Sequence, residues 1–240
     1  MTYSRETSDE LVHYGVKGMK WGVRNDQDGG YRVQASPLQI ESGFHASTKQ
    51  AVTEVSGLMS ARYGYNIKNV KVLGPGHPEY PDTVAFVENN KNNHGRNEGT
   101  IFIQARDLSG PLKGAEKVGW MSPGTGNAKA LLTHESAHSL FHADQKVKAG
   151  ILTPKVVGGN IEARNKAMKA AAKAAKKDGI SIWDVSGYAK TAGVREELEG
   201  ELFSNYHWAE KPPRYVQVWG ETLHRELGVD PTPFKEVKSA

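Results

Sequence analysis

Two histidines four residues apart, inside an otherwise apolar helical stretch, constrain this chain more than any other feature. Residues 130–144 read ALLTHESAHSLFHAD. Leu131, Leu132, Ala137, Leu140 and Phe141 place apolar side chains on both sides of the helix, so it belongs in an interior. Residues four apart share one helix face, with Cβ atoms about 5–6 Å apart. His134 and His138 therefore stand side by side where two unpartnered imidazoles are costly. The pattern His134-Glu135-Ser136-Ala137-His138 is HExxH. In a chain with nine His and eighteen Glu, random order produces it about 0.02 times. Two imidazoles at this spacing can bind one zinc with little strain, and Glu135 is placed to reach a water on the metal rather than the metal itself.

Composition narrows the rest of the donor set. The chain has 240 residues, enough for one good-sized core or a core plus an appendage, and no Cys. Disulfides, thiolate zinc sites and Cys nucleophiles are excluded together, so a metal must be held by His and carboxylates. No apolar run reaches the roughly 18–20 residues of a membrane span. The opening MTYSRETSDELVHYG lacks the basic and apolar regions of a secretory signal, and none is expected. The pI near 9.0 invites a nucleic-acid reading. However, residues 161–178 (IEARNKAMKAAAKAAKKD) hold six Lys/Arg and two acids, which accounts for the whole net charge of +4. No aromatic is interleaved to stack on bases, so this run reads as a solvated helix face and nucleic acid is not an expected partner.

Residues 1–35 carry Gly15, Gly18, Gly22, Gly29 and Gly30 with little apolar periodicity, and read as a flexible tail holding a short motif. Residues 36–240 read as one domain. Val52, Val55, Leu58, Met59 and Tyr63 predict a helix over 47–63. Strand-like runs follow at 69–73, 83–88 and 100–106, the last two separated by a polar hairpin loop. After a Gly/Pro-rich turn at 119–126, Asn127 is positioned to cap a helix over 128–143. The Ala/Lys helix, a link at 179–193 and helices over 194–208 and 213–227 complete the chain. A helix, three strands and then helices predict an α+β domain with helices packed on a small antiparallel sheet.

Zinc takes a third protein ligand and keeps a fourth position for water. His142 continues the stripe of His134 and His138, but a straight helix does not curl three ligands around one ion. The acidic run Glu196-Glu197-Leu198-Glu199-Gly200-Glu201 is the other source. Glu197 and Glu201 share a helix face and Glu199 points elsewhere. A ligand at Glu197 leaves Glu201 one turn on, ready to accept the free N–H of a ligand histidine. Glu196 and Glu201 remain open alternatives for the ligand. Attack of a metal-bound water on a carbonyl also needs a donor to the tetrahedral oxyanion besides the metal; Tyr188 is the first candidate and Tyr206 the second.

These residues resemble known families. ALLTHESAHSLFHAD looks like the active-site helix of ImmA/IrrE-like zincin peptidases, and is similar to the metallopeptidase domain of ArdC-type anti-restriction proteins. Those families follow HExxH with a helix of pattern E-x-x-A-E/N-x-F. Here Glu197-Leu198-Glu199-Gly200-Glu201-Leu202-Phe203 stands, with Gly in place of Ala. Ser186-Gly187-Tyr188-Ala189-Lys190-Thr191 resembles the Tyr-containing segment before that helix in the anthrax-lethal-factor type. The resemblance covers about residues 47–227. It implies a gluzincin-type zincin fold, one Zn²⁺ on His134, His138 and Glu197, Glu135 as catalytic acid/base, and a peptide or protein substrate. In such folds an edge strand binds extended substrate, a role that falls here to the strand over 100–106.

His13-Tyr14-Gly15-Val16-Lys17-Gly18-Met19-Lys20-Trp21-Gly22-Val23-Arg24 is similar to an HxGxKGMKWGxR element of phage structural and head-associated proteins. The resemblance implies a phage or prophage origin, contact of residues 11–24 with virion proteins, and a location in the virion or the host cytoplasm. His13 itself reads as polar surface. The leading expectation is a phage-encoded zinc metallopeptidase. The alternatives are a virion-associated binding protein with a structural or vestigial zinc site, and a protein that counters host defence.

Overall fold

The computed structural model describes residues 38–81, 83–89, 98–142 and 160–237, with the backbone of three dipeptides at 11–12, 20–21 and 24–25. The tail expected over 1–35, His13 included, lies outside the described residues apart from those dipeptides. The fold is α+β and mostly helical. Its elements run β1 (Leu11–Val12), β2 (Lys20–Trp21), β3 (Arg24–Asn25), β4 (Gln39–Ile40), α1 (Ala46–Tyr63), β5 (Asn66–Leu73), β6 (Ala85–Asn89), β7 (Glu98–Gln104), α2 (Ser109–Lys117), α3 (Ala128–His142), α4 (Ile161–Lys177), α5 (Gly187–Ala192), α6 (Arg195–Trp208) and α7 (Arg214–Leu227).

The sheet is mixed, which corrects the antiparallel expectation. Four strands stand in the order β6-β7-β5-β4, with the dipeptide β3 added outside β6. β6 and β7 are antiparallel, as a short connection requires. β7 then inserts between β6 and β5, so it runs parallel to β5. β4 and β5 are joined through α1 and are parallel as well. Strand runs alone do not reveal insertion, because the order depends on which edges meet. The insertion also corrects the substrate-edge assignment. β7 is paired on both sides and has no edge to offer a peptide; β6 lies beside α3, and its outer edge is covered by β3 only at Glu88 and Asn89.

α2 was not expected, and its Gly110, Pro111 and Gly114 give little local helix propensity. Pro111 sits in the first turn, where its missing N–H loses nothing. α4 and α7 pack together. Ala163, Ala167, Ala171 and Ala174 form the buried stripe of α4, and Tyr215, Val216, Trp219 and Leu223 are buried on α7. Lys169, Lys173, Lys176 and Lys177 of α4 are exposed. Small residues on one face let the two helices approach while the lysines stay in water.

Candidate metal centre

α3 and α6 pack against each other and are buried along nearly their whole length, from residue 130 to 141 and from Glu197 to Trp208. A helix buried all round must satisfy every polar side chain internally. Several do so simply. Asn127 Oδ1 accepts from the Ala130 N–H at 3.0 Å, the expected cap. Just before it, the Glu116 carboxylate accepts from the Gly126 N–H at 2.7 Å and pins the loop. Trp208 Nε1 donates to Thr133 Oγ1 at 2.8 Å, and Ser204 Oγ to Ala130 O at 2.8 Å, tying the two helices together.

The remaining polar groups converge. His134 Nε2 lies 3.0 Å from His138 Nε2 and 3.1 Å from Glu197 Oε2, and His138 Nε2 lies 3.4 Å from the same oxygen. All three residues are buried, His138 being the most exposed at 3%. This group could hold a metal ion. The other ring nitrogen of His134, Nδ1, is 3.0 Å from Glu201 Oε1. α6 thus sets Glu197 against the converging nitrogens and Glu201 against the back of the same ring.

Gly200 makes this approach possible. A Cβ there would lie 2.9 Å from His134 Cε1 and 3.0 Å from Nε2. A glycine inside a helix is disfavoured by about 1 kcal/mol relative to alanine. That penalty was the signal, visible in the sequence, that a ring passes close to the backbone here.

Glu135 points toward the sheet, where its carboxylate accepts from the Val87 N–H of β6. Its Oε1 is buried and has no hydrogen-bond partner among the described residues. Burial, reinforced by Glu197 and Glu201, pushes its pKa well above the usual carboxylate range, against the pull of His134. His134 is pushed up to about 10: burial opposes its charge, but the Glu197 and Glu201 carboxylates outweigh it. Three acids and two imidazoles share one interior, which favours bound protons or an added cation.

Tyr188 begins α5 and is fully buried. Its N–H donates to Trp120 O, and its ring meets His134 edge-on with centroids 6.1 Å apart. It belongs to the wall of the cluster. Tyr206 does not; its hydroxyl donates to Pro231 O at the C-terminal segment. Burial of the phenol was legible in the sequence, but its direction was not. Glu196 is exposed. Glu199 is fully buried but turned away, between Arg164 and Arg195. Arg164 also donates to Phe141 O at 2.8 Å, so this ion pair ties α4 to both site helices. The His142 side chain lies outside the described residues.

Residues 4–28 match a family model described as a family of unknown function, DUF7211. The match coincides with the glycine-spaced N-terminal element and does not reach the α3–α6 cluster. No curated protein matches. No solved structure matches either.

Proposed function

We propose that this chain is a zinc-dependent metallopeptidase with a zincin-like core. The observation that carries the reading is the triangle of donor atoms. Zinc bonds of about 2.0–2.1 Å at tetrahedral angles set neighbouring donors about 3.3–3.4 Å apart. The separations here are 3.0, 3.1 and 3.4 Å. Two nitrogens and one carboxylate oxygen suit zinc, and a divalent charge offsets the excess of buried acid. Glu201 behind His134 fits the carboxylate–histidine arrangement that orients a ligand ring.

A zinc bound there lowers the pKa of water and polarises a carbonyl. Glu135 takes a proton from water as the water oxygen attacks the peptide carbonyl carbon. It returns that proton to the amine nitrogen as the C–N bond breaks. With a cation held by His134, His138 and Glu197, the Glu135 carboxylate would be ionised, as this step needs. Tyr188 is the proposed donor to the oxyanion. The part of the β6 edge ahead of its pairing with β3 at Glu88 and Asn89 is where an extended peptide would add as a strand.

Full burial of the donors favours a second reading, a binding protein with a structural zinc. Metal analysis with proteomic cleavage profiling of wild type and Glu135→Gln separates the two. The peptidase reading expects cleavage by wild type and retained zinc in Glu135→Gln, with turnover lower by about 10²–10⁴-fold. A metal-loaded wild type that cleaves nothing, with a variant indistinguishable from it, leaves the structural reading.

A further inference from the structure

At the far end of α6, a second buried histidine pair meets Tyr63. His207 Nε2 lies 2.9 Å and His224 Nε2 2.6 Å from Tyr63 Oη. The outer nitrogens decide where the protons sit. His207 Nδ1 accepts from the Phe234 N–H at 3.3 Å, so its proton must be on Nε2. His224 Nδ1 lies 2.6 Å from Gly220 O, an acceptor only, so it carries the proton and Nε2 is bare. One direction then satisfies every atom. Phe234 N–H donates to His207, His207 Nε2–H to Tyr63, the Tyr63 hydroxyl to His224, and His224 Nδ1–H to Gly220 O. The chain joins α1, α6, α7 and the turn at Phe234–Glu236.

We infer that this chain is an acid-sensitive latch, holding α7 and the C-terminal segment onto α6 while both histidines are neutral and releasing them when either takes a proton. A proton added to His207 must replace the acceptor facing Phe234 N–H, and one added to His224 must replace the acceptor facing Tyr63. At His207 this sets two N–H donors against one another; at His224 it takes away the acceptor of the Tyr63 O–H, which must turn away from a site closed around it. Arg62 of α1 adds repulsion. Its guanidinium lies 4.8 Å over the Phe234 ring and donates to Thr232 O, 3.5 Å from the Asp230 carboxylate. The surrounding charges are otherwise few. Tyr206 on α6 stacks on the His224 ring, with centroids 5.0 Å apart. Glu221 of α7 and Glu236 of the terminal turn act on Tyr206, and Asp230 partly favours a charged His224. The balance is against charge. Burial, His224 and Arg62 hold His207 well below its ordinary value, and burial holds His224 down to about 4.

Histidines depressed in the folded state give stability that is complete above about pH 6.5 and is lost as pH falls toward their folded values. With two of them, the folded-to-unfolded ratio falls by up to about 100-fold per pH unit between about 6 and 4.5. His207→Gln with His224→Gln keeps one amide donor and one amide acceptor for Tyr63 but removes both titrations. Denaturant unfolding of the full chain across this range, with zinc and after chelation, is expected to show the steep loss in wild type and a much shallower one in the double variant. His45→Gln, at an exposed histidine, should behave as wild type. Comparing variant with wild type under both metal conditions separates the latch from acid loss of the metal. Nitrogen-15 spectra of the wild type at neutral pH are expected to show His207 protonated on Nε2 and His224 on Nδ1. They decide the matter if the double variant does not fold. Matching tautomers, either histidine titrating near pH 6.5 in the folded protein, or an unchanged acid slope in the double variant would overturn the latch.

Discussion

The two ends of α6 handle buried histidines in opposite ways. At the first end, His134 and His138 face each other through Nε2 atoms 3.0 Å apart, among Glu135, Glu197 and Glu201. At the other, a phenol stands between His207 and His224. The acids raise His134 to about 10, while burial, opposed only weakly by Asp230, lowers His224 to about 4. The difference lies in the neighbours, since all four rings are almost fully buried. A hydroxyl both donates and accepts, so it can close a chain of neutral rings. Ionised carboxylates only accept, so the first cluster favours added protons or a metal ion between its acceptors. Each end also uses a glycine for close approach, Gly200 beneath His134 and Gly220 beneath the Tyr206 ring.

The strongest way to break this contrast is to remove a donor at the first end. His138→Ala should lower bound zinc from about one per chain to near none, measured by elemental analysis. Chelation should raise hydrogen exchange in the first turns of α6 and spare the turns around His207. Equal exchange at both ends would mean that the two clusters are one cooperative unit.

Replacing the acids one at a time sharpens the roles. Glu197→Gln should weaken zinc binding most, since it removes a charged ligand. Glu201→Gln should weaken it by roughly 10–100-fold, the range for a group that orients a ligand ring. If competition titration gives the reverse order, the third ligand is one helical turn further along.

At the second end, Tyr63→Phe leaves the His207 donor and the His224 acceptor facing a ring edge. Denaturant unfolding should show a loss of about 1–3 kcal/mol, with zinc content unchanged. The smallest effect is expected at Gly200→Ala. The gain of about 1 kcal/mol in helix propensity offsets much of the strain against His134, so stability should move by about 1 kcal/mol or less. Zinc affinity should nonetheless fall, because the ring must tilt. A variant with wild-type zinc affinity would show that the ring has room to spare.

Much of this was legible from short-range rules. The i, i+4 spacing sets His134 beside His138 and Glu197 beside Glu201 in any helix. Asn127 before an apolar run marks the start of α3, and short apolar runs mark β6 and β7. The long helices were expected within one residue of where they stand. What local rules cannot reach is separation. Nothing within one turn of Tyr63 points to His207 or His224, which lie 144 and 161 residues away. The insertion of β7 beside β5, the turning of Glu199 toward Arg164 and the choice of Glu197 to face both histidines belong to the same class. Spacing along one element follows from covalent geometry and helical pitch. Which faces meet follows from burying all elements at once, and there a single packed arrangement decides whether a histidine finds an acid or a phenol.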